Sequence, residues 1–265
     1  MQNTFKHGLL AMAAASLAAC GGGGGYEGDS NNPFNGKEVT IRGTVASSYP
    51  TTAPTPLGNG TAIGKAAILA NCRVGYGVAD SADDGSYTVK VTSPASGPCV
   101  VTATTLQGTA LGVPTTILRT VALGDGSIAN ITPLTEMLVV YMASQITTPA
   151  LPVLTTTSTA GSVMATNAAF NKLMTTPALF DASVASVAAV VKTASGTASP
   201  LTVPANYLTG AIVPRSTSGN AAGNEQSMAL DQLRTRNLTN ATGYPQTSLL
   251  NLLIADAITK KVAAP

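Results

Sequence analysis

Residues 80–91 read Asp80-Ser81-Ala82-Asp83-Asp84-Gly85-Ser86-Tyr87-Thr88-Val89-Lys90-Val91, and their pattern decides the fold class. Tyr87, Val89 and Val91 alternate with Thr88 and Lys90, the period-two signature of a strand with one buried face. Asp84-Gly85 directly before that strand is a hairpin signal, because glycine accepts the positive φ that a tight turn demands. Asp80, Asp83 and Asp84 beside the glycine also offer hard oxygen ligands of the kind Ca²⁺ takes. The turn is the stronger reading of the two, since Asp-Gly ahead of an alternating strand needs no ion to explain it.

The same pattern extends on both sides. Val39, Ile41, Gly43 and Val45 fall on one side of an earlier strand, Ala66–Cys72 is a second apolar run, and Cys99–Ala103 and Thr115–Leu123 supply two more. Short strands with turn residues every ten or so positions predict an antiparallel sandwich over residues 38–128. Val39-Thr40-Ile41-Arg42-Gly43-Thr44-Val45, Gly64-Lys65-Ala66-Ala67-Ile68 and Asp84-Gly85-Ser86-Tyr87-Thr88-Val89 together resemble the carboxypeptidase-regulatory-like, transthyretin-like β-sandwich. That resemblance covers residues 38–125, implies an Ig-like sandwich fold, and implies no catalytic residue.

Beyond residue 128 the period changes. Thr132-Pro133-Leu134-Thr135-Glu136 predicts a helix start, with Thr132 as cap, Pro133 at the first helical position and Glu136 facing the positive helix end. Leu134, Met137, Leu138, Tyr141 and Met142 then make one apolar face. Further amphipathic segments carry Val163, Phe170, Leu173 and Met174, and then Phe180, Val184, Val187, Ala188 and Val191. Helical patterns return at Asn224–Leu238 and Pro245–Val262, where Leu249, Leu252, Leu253 and Ile258 are expected to face inward. Thr, Ser and Pro-rich stretches at 145–159 and 195–223 read as connections. Strands first and helices second predict an α+β protein: an antiparallel β-sandwich at 38–128 followed by a helical region at 129–265, as segregated layers or two abutting domains.

The N-terminus carries an address. Lys6 and His7 precede an apolar run from Gly8 to Ala19, which at about a dozen residues is too short to cross a hydrocarbon core and reads as a signal-peptide core within residues 1–19. Leu17-Ala18-Ala19-Cys20 resembles the bacterial lipobox, in which the cysteine takes a diacylglyceryl thioether and becomes an acylated N-terminus. Several acyl chains, at about 0.8 kcal/mol per buried methylene, exceed the threshold for stable anchoring. Cys20 is therefore the expected lipidation site, with membrane lipid as its partner. Residues 20–37, beginning with Gly21–Gly25, predict a flexible leash. Gly21 at the position after that cysteine resembles lipoproteins sent on to the outer membrane. The helix start at Asn130–Glu136, following a Gly-x-Tyr turn domain, also resembles a group of bacterial lipoproteins of uncharacterised activity.

Composition narrows the function. The chain has 265 residues, a formal net charge of +2, 10% charged residues and a mean hydropathy of +0.26. Fourteen Lys and Arg against 12 Asp and Glu give no strongly basic face, so nucleic acid is not an expected partner. His7 is the only histidine, so a chain cleaved before Cys20 has none, which removes Ser-His-Asp chemistry and histidine-ligated metals. Cys72 and Cys99 remain once Cys20 is lipidated; in an oxidising periplasm they are expected to form a disulfide across the sandwich. Closing a loop of about 28 residues stabilises the fold by about 3.5 kcal/mol. Gly58–Ala66 departs from the P-loop in glycine spacing and lacks its Ser or Thr, so no cofactor is expected. No S-x-x-K or G-x-S-x-G occurs. Glu136, Asp181, Glu225 and Asp231 are the scattered acids that a glycosidase would need, and each is explained by a cap or a solvated face.

These features lead to one expectation: an envelope lipoprotein acting as a non-catalytic binding or structural module for an envelope protein or glycan, with no catalytic residue, metal or cofactor. A histidine-free hydrolase using carboxylates is the alternative.

Overall fold

The computed structural model describes residues 38–47, 61–92, 95–105, 116–146, 159–196, 200–213 and 223–262. Ser86–Val91 (β6) pairs antiparallel with Val39–Thr44 (β1), Val39 opposite Val91 and Thr44 opposite Ser86. The side chains of Tyr87, Val89 and Val91 are buried with Val39 and Ile41, as their alternation requires. Along the other edge of β1, residues 126–131 run parallel to it. Gly126 N donates to Thr40 O (2.8 Å), Ala129 N to Arg42 O (2.7 Å) and Ile131 N to Thr44 O (3.0 Å).

The second sheet has four antiparallel strands: Ala67–Val74 (β4), Tyr76–Asp80 (β5), Ser96–Thr105 (β7) and Thr116–Ala122 (β8), in the order β5-β4-β7-β8. A minor pair joins Ala46–Ser47 (β2) to Thr61–Ala62 (β3). Tyr76–Asp80 is a strand that the sequence did not announce, because Gly77 interrupts its alternation. That glycine is required: a Cβ there would collide with the carbonyl of Lys90.

Asp84-Gly85 makes the expected turn, with Gly85 at φ +78°, but the turn is not a hairpin. Its flanking strands belong to different sheets, β5 to the four-stranded one and β6 to the β1 pair. Asp84 Oδ1 accepts from Ser86 N at 2.9 Å and Ser86 Oγ at 2.6 Å, so the acid serves the turn itself.

Both faces of the four-stranded sheet carry buried apolar residues. Cys99, Val101, Ala103, Leu118 and Ala122 join Val39, Ile41 and Val89 in one buried cluster, while the intervening Val100 and Val121 join the helices in another. Helices on one face of an antiparallel sheet make the α+β class, as the order of patterns predicts.

The helices are Pro133–Ser144 (α1), Thr159–Thr166 (α2), Ala168–Thr175 (α3), Pro177–Ala194 (α4), Glu225–Thr235 (α5) and Thr247–Thr259 (α6). Three expectations need correction. First, α1 buries every residue from Pro133 to Ala143 and has no solvent face, because β8 lies on one side and α3, α4 and α6 on others. Second, residues 159–175 form two helices. Asn167 caps the second by accepting from Phe170 N at 3.0 Å, and the resulting break leaves Val163 46% exposed. Third, α6 is rotated from the expected face: Leu249, Leu250, Leu253 and Ala257 are buried, whereas Leu252 and Ile258 are about half exposed.

Candidate functional site

As an edge strand, β8 would leave main-chain polar groups unpaired. The first turn of α1 satisfies those of Arg119. Arg119 N donates to Glu136 Oε2 at 2.8 Å, and Arg119 O accepts from Thr135 Oγ1 at 3.0 Å. Thr135 also closes a reciprocal cap with Thr132, so the helix start and the sheet edge share one threonine. Glu136 stands in that first turn, as expected, but its carboxylate accepts from β8 and not from the helix's own N–H groups. Its carboxylate is turned onto the Arg119 guanidinium, with Nε at 3.0 and 3.2 Å and Nη2 on Oε1. Tyr244 Oη donates to the same Oε1 at 3.1 Å.

Both charged side chains are essentially inaccessible, 3% exposed for Arg119 and 0% for Glu136. Burial by itself lowers the Arg119 pKa, but the charge and hydrogen bonds of Glu136 outweigh it and hold the guanidinium above its ordinary value. Burial, reinforced by the charge of Glu136, pushes the Tyr244 phenol up. A carboxylate already accepting from a guanidinium, a main-chain N–H and a phenol has no lone pair left for a substrate proton. Sequence reasoning missed this cluster because its members lie 17 and 108 residues apart, with no local spacing to mark them.

A second ionic cluster pins α1, α4 and α6 at the surface. Lys260 Nζ lies 2.8 Å from Asp256 Oδ2 and 3.0 Å from Ser186 Oγ, and Tyr141 Oη donates to Asp256 Oδ2 at 2.7 Å. A serine within reach of a lysine is a nucleophile and base in outline. The protonation state opposes that role: the hydrogen bond to Asp256 holds the Lys260 ammonium above its ordinary pKa, while Lys260 and Tyr141 hold Asp256 below its own. In this arrangement Lys260 Nζ donates to Ser186 Oγ.

A groove of about 290 Å³ opens between the end of β8 and α4. Val121, Leu123, Ile128, Phe180, Val184 and Leu208 supply its apolar wall, with Ile128 51% and Leu123 38% exposed. Its shape is set by Asn130, whose N donates to Leu208 O (2.8 Å) and whose Nδ2 donates to Gly210 O (2.6 Å), holding residues 205–210 against the strand. Of the polar groups at the rim, Ser127 Oγ accepts from Gly124 N and Asn206 Oδ1 from Gln226 Nε2. Asp181, also in the lining, is exposed, and no cation among the described residues pairs with it.

Cys20 lies outside the described residues. Cys72 and Cys99 are at disulfide distance, 1.93 Å between sulfurs, but the bond does not cross between the sheets. The two residues stand directly opposite each other on neighbouring strands β4 and β7. The four acids considered for glycoside hydrolysis sit on three helices, Glu136 on α1, Asp181 on α4, Glu225 and Asp231 on α5, and Glu136 alone of them is buried. Near the acidic turn, Asp83 faces Lys65 at 3.8 Å. Among the described residues no group of three or more His, Cys, Asp or Glu side chains is arranged to hold a metal ion. Comparison with protein-family models, with curated proteins and with solved structures gives no match to this chain.

Proposed function

We propose that the chain is a membrane-tethered envelope lipoprotein, anchored through acylated Cys20, whose folded part is a non-catalytic binding or structural module. The β half follows the transthyretin-like, carboxypeptidase-regulatory-like sandwich plan. Gly21 after the anchoring cysteine supports delivery to the outer membrane, and the partner is an envelope protein or glycan. The observation that carries the non-catalytic reading is the saturation of the buried acid: every acceptor position of Glu136 is taken by Arg119 and Tyr244. Leu17-Ala18-Ala19-Cys20 supports the anchor.

The hydrolase alternative keeps one favourable observation, the 3.0 Å contact between Ser186 and Lys260. Two measurements decide. Cys20→Ala should lose labelled palmitate and leave the membrane fraction; unchanged fractionation overturns the anchor. The detergent-solubilised full chain should show no turnover on ester, peptide, glycan or phosphate-ester panels. Turnover that disappears in a folded Ser186→Ala or Asp256→Asn variant would establish the hydrolase instead.

A further inference from the structure

The two edges of the four-stranded sheet are treated unequally. At one, the first turn of α1 takes the main-chain groups of Arg119 on β8. At the other, β5 pairs with β4 alone among the described residues. Cys72 N donates to Gly75 O at 3.0 Å and Ser81 N to Ala66 O at 2.9 Å, and in the same register Gly77 stands opposite Ala70 and Ala79 opposite Ile68. Main-chain groups along an antiparallel strand point alternately to either side, so those of Tyr76, Val78 and Asp80 point away from β4. No main-chain group of a described residue bonds to them. The buried face of β5 lies on β6, where Gly77 meets the Lys90 carbonyl, and the side chains of Tyr76, Val78 and Asp80 share the opposite, exposed face. Tyr76 is 63% and Val78 65% exposed, more than any other large apolar side chain among the described residues. Neither lysine nor proline, which commonly keep an edge from pairing, occurs in Tyr76–Asp80.

We infer that this edge pairs with β5 of a second copy of the chain, antiparallel about a two-fold axis at Val78, so that the two four-stranded sheets become one continuous sheet. The strand is complementary to itself in that register. Val78 stands opposite Val78 of the second copy and Tyr76 opposite Asp80 of the second copy, so every outward residue of each strand exchanges both its N–H and its C=O. Apolar side chains meet at the centre, and each Tyr76 phenol, a donor, stands across from a carboxylate, an acceptor. Every other two-fold register pairs fewer of the outward residues, and an axis at Asp80 sets two carboxylates against each other. Pairing of this kind rests on the reading of the fold as a binding or structural module and is independent of the anchor at Cys20.

Sedimentation of the full chain, with detergent micelles in large excess so that two chains do not share one by chance, should give a concentration-dependent dimer. Val78→Pro removes one outward N–H and no bond to β4, a position at which an edge strand admits proline. It should leave the circular dichroism spectrum unchanged and the chain monomeric. Val78→Lys sets two ammonium groups against each other and should also give a monomer, which keeps the test open where the proline variant fails to fold. Tyr76→Asp faces Asp80 of the second copy with a like charge at both ends of the pair and should raise the dissociation constant about tenfold. Tyr76→Lys faces the same carboxylate with an opposite charge and should retain the dimer. A chain that stays monomeric at every concentration overturns the pairing, while the non-catalytic reading still stands or falls on the turnover panels. A dimer indifferent to Val78→Pro and Val78→Lys overturns it as well, because the contact then lies elsewhere. Equal weakening by Tyr76→Asp and Tyr76→Lys overturns the register with its axis at Val78.

Discussion

In α1, eleven of twelve residues are buried, Pro133 through Ala143; in the longer α4, only Phe180, Ser183, Val187 and Val191 are. Both helices are apolar, and α4 is the described helix long and apolar enough to cross a membrane by length and composition, at mean hydropathy 1.3 over 18 residues. Average apolarity therefore does not set burial in this protein; the number of layers around the helix does. β8, α3, α4 and α6 surround α1, whereas α4 packs on α1, α3 and α6 with one stripe. The polar groups follow suit. An acid on α1, Glu136, is desolvated and must be paired, while an acid on α4, Asp181, stays at the surface.

Breaking that ion pair should have the largest effect. Glu136→Gln leaves the buried Arg119 charge uncompensated and should cost about 3–5 kcal/mol in chemical denaturation. Asp181→Asn should stay within about 0.5 kcal/mol. Equal effects from the two would refute the difference drawn between the helices. Packing should rank next. Leu138→Ala opens a cavity in the helical core and should cost about 2–5 kcal/mol. Val190→Ala on the half-buried side of α4 should cost about 1 kcal/mol.

The helix starts sharpen the comparison further. Thr132 makes a reciprocal side-chain cap with Thr135, so Thr132→Ala should cost about 1 kcal/mol. Thr176 before α4 makes no side-chain cap bond, and Thr176→Ala should leave the denaturation midpoint in place.

The last effect is absent at neutral pH. Burial pushes the Tyr87, Tyr207 and Tyr244 phenols above their ordinary pKa. Their neutral forms are favoured in the fold, so their contribution is complete below the unfolded value of about 10 and is lost as pH rises beyond it. Ultraviolet titration should show these phenols resisting ionisation until the protein unfolds, with stability falling from about pH 10 upward. Smooth, independent ionisation of every tyrosine in the folded protein would contradict their burial.

A thiol measurement concerns the sheet beneath both helices. Cys72 and Cys99 should resist alkylation in denatured, unreduced protein taken from cells, and two reactive thiols would argue against an oxidising compartment.

Much of the fold was legible locally. Tyr87-Thr88-Val89-Lys90-Val91 encodes a one-sided strand by period, Thr132-Pro133 encodes a helix start, and Gly85 encodes a positive φ, because each depends on neighbours within a few residues. The order of strands before helices was enough for the α+β class. The candidate site was not legible. The Arg119–Glu136–Tyr244 cluster, the Ser186–Lys260 contact and the groove each join residues far apart in the chain, and their relations arise only when α1 closes the edge of β8 and α4 packs beyond it. Strand partners were likewise undetermined. The same Asp-Gly turn can close a hairpin or step between sheets; here it steps between them, and Gly77, with no Cβ, lets β5 come close to the backbone of Lys90 on β6. By itself the sequence determined which residues are apolar, where elements start and where the chain must turn. Which apolar faces are covered, and which charges are stripped of water and must find a partner, was decided only by tertiary packing, because desolvation depends on what surrounds a group in space and not on its neighbours along the chain.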